Sequence, residues 1–102
     1  NQAGNEAVDT AKKIVEFRDN ALRTAGEIGA NEARLVEFLF GHPLTDVQRA
    51  QKHLEVSYNT AAGVIARLEK AELVQETTGK QRNRVYRFSR YLDLFADRDA
   101  TA

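Results

Sequence analysis

The residues with the clearest chemical potential are cationic side chains near the end of the chain. The stretch 77–92 carries five cations and no acidic residue: Lys80, Arg82, Arg84, Arg87 and Arg90. Clustered Lys and Arg side chains bind phosphates, and several such contacts make nucleic-acid affinity fall steeply with salt. The alternative is a solvated charge run that keeps an exposed hairpin soluble. We predict DNA contacts from four neighbouring residues: Lys80, Gln81, Arg82 and Arg84.

The charge of the whole chain limits this interpretation. The 102 residues include 15 Lys plus Arg and 15 Asp plus Glu, so the formal net charge is zero. Zero net charge speaks against indiscriminate binding of polyanions, because affinity for phosphates grows with the number of cations presented. The length and the hydrophobic content of 42% indicate one small globular domain. Without cysteine, neither a disulfide nor a thiolate metal site can form.

Signatures of catalysis, of metal binding and of membrane insertion are missing from the sequence. His42 and His53 are the only histidines, and they do not have the spacing of a zinc-binding helix. Ser57 has no base in a recognisable relation to it, and a helix cap explains its residue type. Apolar runs are much shorter than the roughly 20 residues that cross a bilayer. We therefore expect a cytoplasmic protein that is not an enzyme, binds no metal or cofactor and does not contact membranes.

Helical periodicity dominates the first two thirds of the chain. From about residue 5 to residue 28, apolar residues recur every three or four positions, which predicts one long amphipathic helix. A second helix is predicted over 32–40, and a third from Thr45 or Asp46 to Leu54. The first helix is long for so small a domain, so part of its apolar side could pack on something outside this chain.

A fourth helix and a hairpin follow. Ser57 is a helix-capping residue type, and the helix predicted over 57–71 directs Ala61, Val64, Ile65 and Leu68 inward. The stretches 73–77 and 85–88 have the β-branched and aromatic character of strands, which predicts a hairpin with a basic tip. A last helical turn over 91–95 would cover the hairpin with Leu92 and Phe95.

This order of elements predicts a mainly α (α+β) fold, a winged helix-turn-helix with a long N-terminal helix and a two-stranded hairpin wing. In such a fold the second helix of the pair is presented to DNA. Its outward positions and flanks offer four further candidate DNA contacts: Ser57, Tyr58, Asn59 and Arg67. The small residues Ala62, Gly63 and Ala66 on that face would instead suit an interface with another helix or subunit.

Four segments also resemble a known family. They are residues 39–45 (Leu-Phe-Gly-His-Pro-Leu-Thr), 56–61 (Val-Ser-Tyr-Asn-Thr-Ala), 68–74 (Leu-Glu-Lys-Ala-Glu-Leu-Val) and 79–86 (Gly-Lys-Gln-Arg-Asn-Arg-Val-Tyr). Together they resemble the C-terminal winged-helix region of Fic-family (filamentation induced by cAMP) proteins, over about residues 30–96. In that family a long helix connects this region to a catalytic domain similar to enzymes that transfer AMP from ATP to a hydroxyl.

The resemblance implies how the chain is organised. Residues 1–30 would be a lead-in helix, residues 31–96 the winged-helix domain and residues 97–102 a flexible tail. The family's catalytic His-Pro-Phe motif and Gly-Asn-Gly-Arg loop are missing, since His42-Pro43-Leu44 matches only two letters. The chain would then be a regulatory part of a protein whose other domain is an adenylyltransferase. Two partners stay open: double-stranded DNA, or a protein, which would be a Fic catalytic domain or a second copy in a homodimer.

Overall fold

The computed structural model describes the backbone of residues 2–100 and the side chains of residues 9–95. In that part of the chain, five helices accompany three short strands. Their bounds are α1 Gln2–Ile28, α2 Ala30–Leu39, β1 Leu44–Thr45, α3 Val47–Leu54, α4 Tyr58–Lys70, β2 Gln75–Glu76, β3 Tyr86–Arg87 and α5 Ser89–Ala100. The fold is mainly helical with one small antiparallel sheet, which confirms the predicted α+β class.

Local capping sets where the two central helices begin. The Asp46 carboxylate accepts a hydrogen bond of 2.8 Å from the backbone N–H of Arg49 at the start of α3. At the start of α4, the Ser57 hydroxyl accepts one of 3.1 Å from the backbone N–H of Thr60. Each bond satisfies a backbone donor that has no partner inside the helix. The Ser57 cap was predicted from its residue type and is confirmed; for α3 the sequence left Thr45 and Asp46 as alternatives, and the structure shows that Asp46 is the cap.

The sheet contains a strand that the sequence analysis does not predict. The central strand β3 pairs antiparallel with β2, as the predicted hairpin requires, and also with β1 on its other side. In register, Tyr86 lies between Thr45 and Glu76. The predicted two-stranded hairpin is therefore part of a three-stranded sheet. A strand of two residues has no alternating pattern, so only the pairing with β3 reveals it.

The hydrophobic core lies between α1, α2, α3, α4 and the sheet. All four residues of α4 that were predicted to point inward are buried: Ala61, Val64, Ile65 and Leu68. They pack with the buried apolar residues of α2, which are Leu35, Val36 and Leu39. Phe88, directly after β3, is also fully buried. The inward side of α4 thus packs on aliphatic side chains of α2 and lies in the same buried cluster as the ring of Phe88.

The C-terminal helix packs on α1. The ring of Tyr91 in α5 stacks on Phe17 of α1 at 6.1 Å and lies 5.5 Å from the ring of Phe88. Helix α5 extends from Ser89 to Ala100, which is longer than the single turn predicted over 91–95. Residues 97–100 of the predicted flexible tail continue this helix, and residues 101–102 lie outside the described residues. Among residues 2–100, no helix has both the length and the apolar character to cross a membrane.

Candidate nucleic-acid interface

The α3–α4 pair presents α4 at the surface of the molecule. A tight turn joins the two helices, with Glu55 in the left-handed conformation (φ 56°) at the end of α3. Ser57 then caps α4, and its hydroxyl also donates a 2.9 Å hydrogen bond to the hydroxyl of Thr60. The Ser57 proton is therefore used within the end of the helix. Ser57 would therefore contribute to DNA binding by fixing where α4 begins, and not by donating its proton to a phosphate.

The exposed side of α4 carries mostly small or polar side chains. Asn59, Ala66 and Lys70 are exposed, whereas Ala62 and Gly63 are half-buried. Tyr58 is 53% exposed at the first turn of the helix. A helix with such a face can approach another surface closely, because few long side chains hold it away.

Arg67 lies on one flank of α4 and is tied to α2. Its Nε donates a 2.6 Å hydrogen bond to Oε2 of Glu32, and this contact is also an ion pair. The Glu32 side chain is 5% exposed and the Arg67 side chain 54%. The guanidinium lies over Gly63, so that a Cβ placed on that residue would meet Nη1 of Arg67 at 3.3 Å. The structure thus places a cation over one of the small residues predicted as an interface.

Residues 77–85, here called the basic loop, connect β2 and β3. The carboxylate of Glu76 organises its first half, accepting hydrogen bonds from the hydroxyl of Thr78, from the backbone N–H of Thr78 and from the backbone N–H of Gly79. These bonds to the hydroxyl and the N–H groups, with the charge of Arg84, hold the pKa of the Glu76 carboxyl below its ordinary value of 4.5. Gly79 has φ 68°, a conformation that favours glycine.

The cations of the basic loop have different surroundings. Arg84 donates a 2.5 Å hydrogen bond from Nε to the backbone oxygen of Lys80, which closes the tip of the loop. Within the described residues, the ammonium of Lys80 and the guanidinium of Arg82 make no hydrogen bond or ion pair, and both residues are exposed. Arg84 therefore shapes the loop, whereas Lys80 and Arg82 are available to an anionic partner.

Two further cations of the basic stretch are paired outside the loop. Nη1 of Arg87 lies 3.4 Å from Oδ1 of Asp93, and Nη2 of Arg90 lies 3.1 Å from Oε2 of Glu72. The first pair joins β3 to α5, and the second joins α5 to the residue that precedes β2 by three positions. Neither Arg87 nor Arg90 is therefore as free as Lys80 and Arg82.

An open cleft of about 520 Å³ separates α4 from the basic loop. Tyr58 and Ala62 form its α4 wall, Asp46 to Gln48 form its base at the start of α3, and residues 81–84 form the opposite wall. The cleft brings together four of the predicted DNA contacts: Tyr58, Gln81, Arg82 and Arg84. Ser57, Asn59, Arg67 and Lys80 do not line it. Asp46 is the acidic residue of its lining, and its carboxylate is engaged in capping α3.

Glu32 and Glu76 take part in the site although neither was predicted from the sequence. Glu32 meets Arg67 only because α2 packs on α4, and no local pattern signals a contact between residues 35 positions apart. Glu76, in contrast, lies directly before Thr77-Thr78-Gly79, a sequence typical of a turn whose N–H groups need an acceptor.

The two histidines have a common neighbour. The rings of His42 and His53 stack on the ring of Phe38 at 4.4 Å and 4.3 Å. Within the described residues, no three His, Asp or Glu side chains converge in a way that could hold a metal ion.

Comparison with known proteins supports the fold and adds nothing on function. No protein-family model matches the chain, and no curated protein matches it. Among solved structures, the crystal structure of RV1404 from Mycobacterium tuberculosis is similar, with a TM-score of 0.56 and 16% sequence identity. The alignment covers 91% of this chain and 66% of that chain. At this identity the likeness concerns the fold alone.

Proposed function

We propose that this chain is a DNA-binding winged-helix module, the C-terminal regulatory region of a Fic-family protein. In this proposal α4 enters the major groove of duplex DNA and the basic loop, as the wing, contacts the phosphate backbone beside it. The observation that carries the proposal is the cleft between α4 and the basic loop, together with the loop cations Lys80 and Arg82, whose side-chain charges have no partner among the described residues.

The exposed face of α4 suits a groove. The major groove of B-DNA is about 12 Å wide and admits one α-helix. Asn59 lies in the first turn of α4, the part of a recognition helix that contacts base edges, and an Asn amide can pair with adenine. Ala66, which is exposed, would allow close approach further along the helix.

The basic loop suits the backbone. Phosphate contacts fix the orientation of a protein on DNA, and most of them come from Arg and Lys side chains. Arg82 and Tyr58 both line the open cleft, where a phosphate could approach the guanidinium. A DNA partner also accords with the expected cytoplasmic location.

A duplex titration at about 50 mM and about 200 mM salt tests this proposal. We expect submicromolar binding at low salt that weakens steeply at the higher concentration. The variant Lys80→Ala/Arg82→Ala should flatten the plot of log Kd against log salt by about two units, one for each phosphate contact. The matched control is Lys12→Ala/Lys13→Ala, which removes the same charge from exposed positions on α1.

Two results would contradict the proposal. One is no binding by the parent chain at low salt. The other is an equal loss in the basic-loop variant and in the α1 control, because that would show a dependence on net charge without a site. The Fic-family assignment has its own test: the parent gene should encode the His-Pro-Phe motif and the Gly-Asn-Gly-Arg loop.

Exposed apolar side chains on α1 and α5 favour a second candidate, a protein-interaction module that binds a second copy or a Fic catalytic domain. Val15 is 57% exposed on α1, and Phe95 is 37% exposed on α5. The test is the mass in solution as a function of concentration, in which Val15→Lys should prevent association and Thr24→Lys, at an exposed position across the same helix, should not. A strictly monomeric parent would leave only the catalytic domain as partner.

A further inference from the structure

We propose that the buried carboxylate of Glu32 positions Arg67 to bind a phosphate of duplex DNA, on the flank of α4 that faces away from the basic loop. This inference rests on the proposed function and adds to it a positioning residue and a second site of backbone contact. The contact behind it is the 2.6 Å hydrogen bond from Nε of Arg67 to Oε2 of Glu32.

Glu32 is held in place by its surroundings. It lies in the first turn of α2, and its side chain is 5% exposed. Its other carboxylate oxygen, Oε1, occupies the space that a Cβ on Gly29 would need. A buried carboxylate must keep a hydrogen-bonding partner, since leaving it unpaired carries a large desolvation penalty. The Arg67 guanidinium is that partner, so its position is fixed from within the protein.

The bond to Glu32 leaves most of the guanidinium available. An arginine has five N–H donors, and only the Nε–H donates to Glu32. The terminal nitrogens Nη1 and Nη2 lie over Gly63, and within the described residues they make no hydrogen bond. Gly63 provides the space in which this end of the side chain lies. The result is an oriented, half-exposed fork of donors, which is the geometry that binds phosphate in a bidentate manner.

The helix geometry determines which part of the DNA this fork would meet. At about 100° per residue, Arg67 lies about 180° around α4 from Tyr58. Tyr58 lines the cleft toward the basic loop, so Arg67 lies on the opposite flank. A helix in the major groove has base edges in front of it and phosphate backbones on its two flanks. The basic loop and Arg67 would therefore contact the backbones on the two sides of the groove.

Whether substitution of Glu32 weakens or strengthens DNA binding distinguishes a positioning role from a purely electrostatic one. Glu32 is an acid close to the proposed DNA surface, so removing its charge should strengthen binding by Coulomb attraction alone. If Glu32 positions Arg67, removing the acceptor should instead weaken binding. Glu32→Leu and Glu32→Gln remove the same charge, but only the Gln variant keeps an oxygen that can accept the Nε–H bond.

The experiment measures duplex affinity and its salt dependence for these variants, far below their melting temperatures. We expect Arg67→Ala to weaken binding about tenfold and to lower the salt slope by about one unit. Glu32→Leu should weaken binding about threefold, whereas in the Arg67→Ala background, where only the electrostatic effect remains, it should no longer weaken binding. Glu32→Gln should bind at least as tightly as the parent. Arg67→Lys should resemble Arg67→Ala, because the single ammonium would stay with Glu32.

Each contrary result has a distinct meaning. If Glu32→Leu binds as tightly as Glu32→Gln, Glu32 does not position Arg67. If Arg67→Ala loses preference at one base pair without a change in salt slope, Arg67 contacts a base and the phosphate assignment is wrong. A parent that binds DNA through Lys80 and Arg82 but is insensitive to Arg67→Ala overturns this inference alone. A parent that binds no DNA overturns the proposed function as well.

Discussion

Removal of Arg67 should destabilise the fold more than removal of a surface arginine, because it leaves a charge without a partner inside the protein. Breaking a fully buried ion pair by deleting one partner costs about 3–5 kcal/mol, whereas exposed pairs contribute about 0–1 kcal/mol. Glu32 is 5% exposed but Arg67 is 54% exposed, so this pair falls between the two classes. We expect Arg67→Ala to lower the free energy of unfolding by about 2 kcal/mol.

The chain offers a matched control in the pair formed by Arg90 and Glu72. Their N–O distance is 3.1 Å, but the two side chains are 57% and 77% exposed. Arg90→Ala should therefore cost at most about 0.5 kcal/mol. For a domain of this size, a loss of 2 kcal/mol corresponds to a decrease of about 10 °C in melting temperature, which circular dichroism resolves easily.

A double variant tests the physical cause. In Glu32→Leu/Arg67→Ala no buried charge remains, and an apolar side chain takes the place of the carboxylate, so most of the lost stability should return. Urea denaturation of the parent, the two single variants and the double variant gives the four free energies needed. The reasoning fails if Arg67→Ala is no less stable than Arg90→Ala, or if the double variant is as unstable as Arg67→Ala.

Four other predictions follow from particular contacts. Phe88→Ala should lower the free energy of unfolding by about 4 kcal/mol in urea denaturation, because its fully buried ring packs on three others. Ser57→Ala should lower it by about 1 kcal/mol through loss of the α4 cap. Glu55→Gly should raise it by about 0.5 kcal/mol, since relief of the left-handed conformation exceeds the added entropy of the unfolded chain. Because the pKa of the Glu76 carboxyl is lowered in the folded state, its stabilisation of the basic loop is present above pH 4.5 and is lost as the pH falls through the lowered pKa; the amide shift of Thr78 should report that transition in NMR spectra.

Each of these predictions has a comparison that could contradict it. Phe95→Ala, at a ring that is 37% exposed, should cost much less than Phe88→Ala. Ser57→Thr should keep most of the cap energy, and Glu55→Ala should not reproduce the gain from glycine. In Glu76→Gln the acid transition of the Thr78 amide should disappear, and its persistence would assign the transition to another group.

Local features of the sequence were sufficient to predict the helices that form the proposed DNA surface. Apolar residues at helical spacing predicted the inward side of α4, and all of those residues are buried. Ser57, and either Thr45 or Asp46, were predicted as caps from their residue types, and the side chains of Ser57 and Asp46 bond to backbone N–H groups three residues away. Such interactions lie within one turn of a helix, so they can be inferred without knowing where the rest of the chain lies.

Other features depend on contacts between distant parts of the chain. Strand β1 exists because Thr45 and Leu44 pair with β3, and the contact of Tyr91 with Phe17 brings α5 onto α1. The basic stretch was visible as composition, but the sequence did not indicate that Arg84 closes the loop while Arg82 has no hydrogen-bond or ion-pair partner among the described residues.

The residue types and their periodicity determined, by themselves, which segments are helical, which sides of them are apolar and where the cations are concentrated. Only the tertiary structure decided which of those cations are paired within the protein and which could bind a partner, because packing determines which acceptors lie near each cation. Arg67 shows the reason most clearly. Its partner Glu32 is 35 positions away in sequence, and the residues that flank either one in the sequence do not indicate that α2 and α4 will bring them together. Secondary structure follows from short-range bonding and periodicity, whereas the surface that could bind a partner follows from long-range packing.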